Sequence, residues 1–292
     1  MKQIMIFFAL AAVCLNSCNN NGSKNGNNTT MADSISFKSG YSEVNGLKMY
    51  YEIHGDKGNN LVLIHGGGST IGTSFGKVLP ELAKNFTVIA VELQGHGHTN
   101  DRDAPESFEQ DADDVATLLQ NLDISKASFF GFSNGGNTSI QIAVRHPEIV
   151  NKLILASTFY KREGLPPGFF DGMKQATLKD MPQVLRDAFL QINSDSSKLI
   201  SMFNKDRERM LNFTDWKDEM LRSIKAVALI ICGDRDVILP EHTVAMAKLI
   251  PDSRLMILPG EHGSYIGTAE SPQAGNNVIE LTVSVITDFL NK

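Results

Sequence analysis

The sequence predicts an α/β protein, with a mostly parallel central sheet flanked by helices and a helical segment inserted late in the chain. Three observations lead there. Short, wholly apolar runs such as 61–64 and 86–91 alternate with stretches of helical apolar spacing. Glycine-rich loops at 65–70, 92–99 and 131–136 each follow such a run. Between residues 159 and 224 the alternation stops, and only helical spacing remains, at 181–192 and 197–210. Strands buried on both faces read as continuous apolar runs, and ligands of parallel sheets bind beyond the strands' carboxyl ends. All three glycine loops fall at those ends.

The N-terminus stands apart from this pattern. Lys2 precedes an unbroken apolar run at 4–13, shorter than the roughly 20 residues of a spanning helix and typical of a signal-peptide core. Leu15-Asn16-Ser17-Cys18 then resembles a bacterial lipobox, which makes residues 1–17 a lipoprotein signal and Cys18 the lipidated N-terminus. The alternative is an ordinary cleaved signal with a chance cysteine. Residues 18–35 are rich in Asn, Gly, Ser and Thr and bury too little apolar surface to fold, so they predict a flexible tether. The protein is thus expected to be exported and held in a bacterial cell envelope by Cys18. Asn19 does not resemble the aspartate of inner-membrane retention, which favours the outer membrane or surface.

The rest suits one large α/β domain, with core segments 36–158 and 223–292 and an inserted cap at 159–222. A formal charge of −6 and the lack of a basic cluster argue against nucleic acid as a partner. Of three cysteines, Cys14 leaves with the signal and Cys18 is lipidated. Cys232, inside an apolar run, then has no disulfide partner and reads as a buried, inert thiol.

In order, residues 41–54 alternate around Asn45-Gly46 and predict a β-hairpin. A buried strand at 61–64 leads to a helix at 74–84 and a strand at 86–91. Ser107 caps a helix running to Asn121, with Gln110 in the capping-box position. Residues 127–130 lead as a strand into Ser133, and a helix leads out. A strand at 152–156 follows, and Leu165-Pro166-Pro167-Gly168 marks the entrance to the helical insert. The sheet resumes with a strand at 226–232, a helix at 241–250, a strand at 254–258 and a final amphipathic helix at 278–291.

Gly131-Phe132-Ser133-Asn134-Gly135 is a strand, a tight turn and a helix start in succession, with Ser133 at the bend. A serine hydroxyl at its ordinary pKa is a poor nucleophile. It needs a neutral imidazole within hydrogen-bond reach and an acid to orient that imidazole. The loop after 226–232 offers Asp234 and Asp236, and the loop after 254–258 offers His262.

Five motifs in order resemble those of a capped α/β-hydrolase across about residues 41–292. They are His65-Gly66, Gly95-His96-Gly97-His98-Thr99, the Ser133 elbow, Gly233-Asp234-Arg235-Asp236 with Pro240, and Gly260-Glu261-His262-Gly263. The resemblance implies the order nucleophile, acid, histidine. Its acid lies three residues after the glycine and four before the proline, which selects Asp236 and leaves Asp234 to cap the turn. It also implies an oxyanion hole from the backbone N–H of Asn134 and that of Gly67, with Gly68 as the substitute, the Asn134 side chain being incidental. His65 would brace the loop. His96 and His98 lie in a family turn, without the companions a metal site requires.

A serine nucleophile with an oxyanion hole implies acyl transfer to water on a small ester, lactone, thioester or amide, without metal or organic cofactor. Phe132, Phe159, Phe169, Phe170, Met173 and Trp216 are candidate pocket residues beneath the cap, each with core packing as its alternative. The same triad serves peracid-forming and carbon–carbon-cleaving relatives, and a binding or sensor protein on this fold is the rival from another class.

Overall fold

The computed structural model describes residues 37–272 and 275–292. The signal, Cys18 and the tether lie outside the described residues. The strands are β1 (Phe37–Val44), β2 (Leu47–His54), β3 (Asn60–Ile64), β4 (Thr87–Val91), β5 (Ala127–Phe132), β6 (Val150–Ala156), β7 (Val227–Gly233) and β8 (Ser253–Leu258). They form one sheet in the order β1-β2-β4-β3-β5-β6-β7-β8. The hairpin β1–β2 is antiparallel and joins β4 antiparallel. From β4 to β8 every pairing is parallel. β3 and β5 are apolar at nearly every position because side chains of both pleat faces are covered. Val62, Ile64 and Phe129 belong to one apolar cluster, and Leu61, Leu63 and Phe130 to the cluster on the opposite face.

The helices are α1 (Ile71–Phe75), α2 (Leu79–Leu82), α3 (Phe108–Asn121), α4 (Asn134–Arg145), α5 (Phe169–Gln175), α6 (Gln183–Ile192), α7 (Ser196–Leu211), α8 (Asp218–Arg222), α9 (Pro240–Leu249) and α10 (Asn276–Asn291). Helices α5 to α8 lie consecutively between β6 and β7, in the span that lacks strand patterning. Met181, Leu185, Phe189, Leu199 and Met202 give α6 and α7 an apolar cluster of their own.

Two local expectations are corrected. The single helix expected at 74–84 is two short ones, α1 and α2. Gly76 closes α1, and Pro80, which has no N–H to donate, sits in the first turn of α2. The capping box of α3 is only half formed. Ser107 Oγ accepts from Gln110 N–H at 3.1 Å, while the Gln110 amide donates to Asp114 Oδ1 at 2.9 Å instead of turning back.

Candidate active site

Ser133 joins β5 to α4 with φ 53° and ψ −122°, a strained conformation for a residue with a Cβ. Tight packing holds it there. Its N–H donates to Ala156 O on β6 at 2.8 Å. A Cβ on Gly131 would collide with Gly135 O and Ser139 Oγ, and one on Gly135 with Ile64 O. Glycine at these two positions lets β5, α4 and β3 touch through their backbones, which fixes the bend.

His262, beyond the end of β8, faces the elbow. Its Nε2 lies 3.1 Å from Ser133 Oγ and its Nδ1 2.7 Å from Asp236 Oδ1. A carboxylate accepts only, so Nδ1 carries the proton and Nε2 presents a lone pair to the serine hydroxyl. Asp236, just past β7, is fully buried and accepts from Gly233 N–H, Ile238 N–H and Ser157 Oγ–H as well. Burial opposes its charge, but His262 and these donors outweigh it and hold the carboxyl below its usual range. Burial likewise pulls the His262 pKa down, and the Asp236 charge and hydrogen bond outweigh it and raise it. Asp234 points elsewhere, accepting from Gly260 N–H at 2.8 Å, so it ties the β7 loop to the β8 loop.

The loop after β3 lies against the elbow, since a Cβ on Gly66 would stand 3.2 Å from Ser133 Cβ. His65 braces this loop. Leu93 N–H donates to its Nε2 at 3.0 Å, so Nδ1 carries the proton and donates to Gly66 O at 2.8 Å. Burial, and then the charge on His96, push the His65 pKa down to about 3. The N–H groups of Gly67 and Asn134 have no hydrogen-bond partner among the described residues. Gly68 N–H is occupied, donating to Asp206 Oδ2 at 2.5 Å, so it is not free to serve in place of Gly67. The Asn134 side chain packs against the same loop. Its Nδ2 lies 2.5 Å from where a Gly67 Cβ would be.

His96 and His98 are both engaged. His96 Nδ1 meets Gln94 O at 2.8 Å and Nε2 meets Asp206 at 3.0 Å. Burial disfavours its charge, but Asp206 outweighs that and raises its pKa to about 9. His98 Nδ1 and N–H both meet Glu92 Oε2.

The six expected pocket residues separate. Phe159 and Trp216 are packed edge to face with Phe213, at 4.8 and 5.3 Å between ring centroids, and belong to the main core. Both take the core packing that was the alternative to a place in the pocket. Phe132 is buried beneath the site, with its ring 4.9 Å from that of His262. Phe169, Phe170 and Met173 share α5 and are partly buried against the core, and the Arg162 guanidinium covers the Phe170 ring at 3.5 Å. Residues without a sequence motif supply the rest of the surroundings. Ser157 and Tyr265 back Asp236, and Met181, Leu185 and Asp206 lie over Gly67 and Gly68. Only Ser157 carried a signal, its position just past the carboxyl end of β6.

A family model described as alpha/beta hydrolase fold matches residues 59–191. The human serine hydrolase BPHL is 27% identical over 237 residues, covering 78% of this chain and 81% of its own. The 2-hydroxymuconate semialdehyde hydrolase of Pseudomonas sp. (strain CF600) is 28% identical over 228 residues, covering 70% of this chain and 80% of its own. The crystal structure of the enol-lactonase from Burkholderia xenovorans LB400 superimposes with a TM-score of 0.68 at 23% identity, over 87% of this chain and 100% of that one. The family match over residues 59–191, the relatives and the elbow-bearing parallel sheet agree, and the chain has the α/β-hydrolase fold.

Proposed function

We propose that the protein is a serine hydrolase that cleaves a small carboxylic ester, lactone or thioester through an acyl-enzyme on Ser133. The observation that carries this is the unbroken hydrogen-bonded line from Asp236 through His262 to Ser133, at 2.7 and 3.1 Å. In the reaction Ser133 Oγ attacks the carbonyl carbon while His262 Nε2 takes the hydroxyl proton. Asp236 holds the imidazole in the tautomer that can accept it. The oxyanion is received by the N–H groups of Gly67 and Asn134, which have no hydrogen-bond partner among the described residues. His262 returns the proton to the departing alkoxide. A water then attacks the acyl-enzyme, loses a proton to the same nitrogen, and the acid and Ser133 are released.

The test is turnover of an ester, lactone and thioester panel by the purified full-length chain and by Ser133→Ala. The reading predicts turnover by the wild type and a loss of roughly 10⁴-fold or more in Ser133→Ala. Equal rates would show that Ser133 is not the nucleophile. No turnover of any panel member would leave a binding or sensor role on this fold. The likeness to 2-hydroxymuconate semialdehyde hydrolase favours a second reading, carbon–carbon cleavage by the same three residues. A vinylogous 1,5-diketone in the panel separates it from ester cleavage.

The cap at 159–222 is proposed to close over the acyl pocket, with Phe132, Phe169, Phe170 and Met173 as its apolar lining. Lipidation of Cys18 and attachment to the outer membrane or cell surface complete the proposal. Loss of membrane fractionation in Cys18→Ala is the expected result. Unchanged fractionation would rule the anchor out.

A further inference from the structure

We propose that Asp206, on α7, is a positioning residue that clamps the oxyanion loop from the helical insertion. The inference rests on the hydrolase reading above for its catalytic consequence, and on geometry alone for the clamp. Asp206 Oδ2 accepts from Gly68 N–H at 2.5 Å, and lies 3.3 Å from where a Cβ on Gly67 would be. The loop is thus gripped from two sides. Ser133 lies against Gly66 from below, and Asp206, Met181 and Leu185 lie against Gly67 and Gly68 from above.

The carboxylate is itself held. Arg209, one turn along the same helix, donates Nη2–H to Oδ1, and His96 Nε2–H donates to Oδ2 at 3.0 Å. Arg209 Nη1–H also donates to Asp111 Oδ2 on α3 at 2.7 Å. The network that holds the carboxylate therefore draws on the loop after β4 through His96, on α7 through Arg209, and, through Arg209, on α3. A charged acceptor with both oxygens fixed in this way defines where Gly68 N–H must point, and with it the orientation of the neighbouring peptide that carries Gly67 N–H. Gly68 has φ 66°, where glycine moves freely, so the loop needs an external restraint to hold one conformation. An oxyanion donor works only when it is preorganised, and here the helical insertion supplies the preorganisation.

The test combines amide hydrogen exchange with kinetics on the full-length chain. In Asp206→Ala, exchange of segment 65–69 should rise about tenfold or more, while segment 131–136 keeps its wild-type rate, since Asp206 hydrogen-bonds the first segment and not the second. Ester turnover per titrated Ser133 should fall about 10- to 100-fold with KM within about threefold, short of the roughly 1,000-fold upper range for removing a donor outright. A merely structural role would instead lower the titratable fraction and leave turnover per site unchanged. Asp206→Asn keeps an oxygen acceptor without the charge and should fall between the two. If Asp206→Ala does not fold, Asp206→Asn carries the test, with faster exchange at 65–69 expected. Unchanged exchange there, or turnover per site within about twofold of wild type, overturns the proposal. If the wild type cleaves no ester, the hydrolase reading fails, and exchange at 65–69 still decides whether Asp206 holds the loop.

Discussion

Ser157 donates its hydroxyl to Oδ2 of Asp236, the carboxylate oxygen that His262 leaves free. Its own Oγ is 2.7 Å from Tyr265 OH, so with its proton committed to Asp236 it accepts from the tyrosine. The line Tyr265–Ser157–Asp236–His262–Ser133 therefore runs from the buried core to the surface of the elbow. Ser157→Ala would leave a buried carboxylate short of a donor, at a cost of about 1–3 kcal/mol at pH 7. The loss should depend on pH. A carboxyl whose folded pKa is depressed gives stability that is present above its unfolded value, about 3.9, and lost as pH falls through the folded one. Urea unfolding at pH 7 and near pH 3 should therefore show a wide gap between variant and wild type that narrows at the acid end. A gap equal at both would mean the hydroxyl does not serve the charged form.

The second prediction concerns the acid limb of the rate profile. In the proposed reaction His262 acts as a base only when neutral, so kcat/KM should rise with pH through its pKa. Asp236 raises that pKa, so the limb should lie above the unperturbed value of about 6.5. In Asp236→Asn the raising charge is gone while burial remains. The midpoint should then move down and the plateau fall by about 10³-fold or more, because the tautomer is no longer enforced. A midpoint that stays in place in the variant would mean that another group controls the limb.

A pair of glycine substitutions separates close packing from helix propensity. Gly135→Ala forces a Cβ onto Ile64 O and should destabilise by about 1–3 kcal/mol or more, with loss of activity. Gly72→Ala, inside α1, meets nothing nearer than Thr70 Oγ1 at 3.9 Å, and should stabilise by about 0.5–1 kcal/mol. Thermal unfolding of both reads the two signs. Equal shifts would contradict the proximity of α4 to β3.

The fourth prediction follows from Glu106. Its side chain is 1% exposed, and neither oxygen has a hydrogen bond among the described residues. Arg209 Nη1 is 3.6 Å away, but it already serves Asp111, and Nη2 serves Asp206. Burial is the largest cause that raises the Glu106 pKa, to about 8. A raised folded pKa gives stability that is fully present below the unfolded value, about 4.3, and is lost as pH rises through about 8. Glu106→Gln does not ionise, so its Tm should gain on that of the wild type between pH 5 and pH 9. A constant difference would mean that Glu106 is already ionised at pH 5.

Much of this was legible in the sequence because it depends on local pattern. Apolar runs such as 61–64 identify strands buried on both faces, and Gly131 and Gly135 beside Ser133 identify a bend where backbones meet. The contrast of 159–224 with its surroundings was likewise visible as a change of period. The break within 74–84 was not resolved, because apolar spacing continues across Gly76 and Pro80 while the backbone does not.

What the sequence by itself determined, then, is the α/β fold and the candidates Ser133, Asp234 or Asp236, and His262 at strand ends, since strand periodicity and turn chemistry act over a few residues. Only the tertiary structure decided which carboxylate meets the imidazole at 2.7 Å, that Phe159 and Trp216 are core, and that Gly68 N–H belongs to Asp206. Asp206 is 138 residues from Gly68, and Ser157 is 79 from Asp236. Contacts over such separations arise from the packing of whole elements against one another, and no local pattern of side chains encodes them.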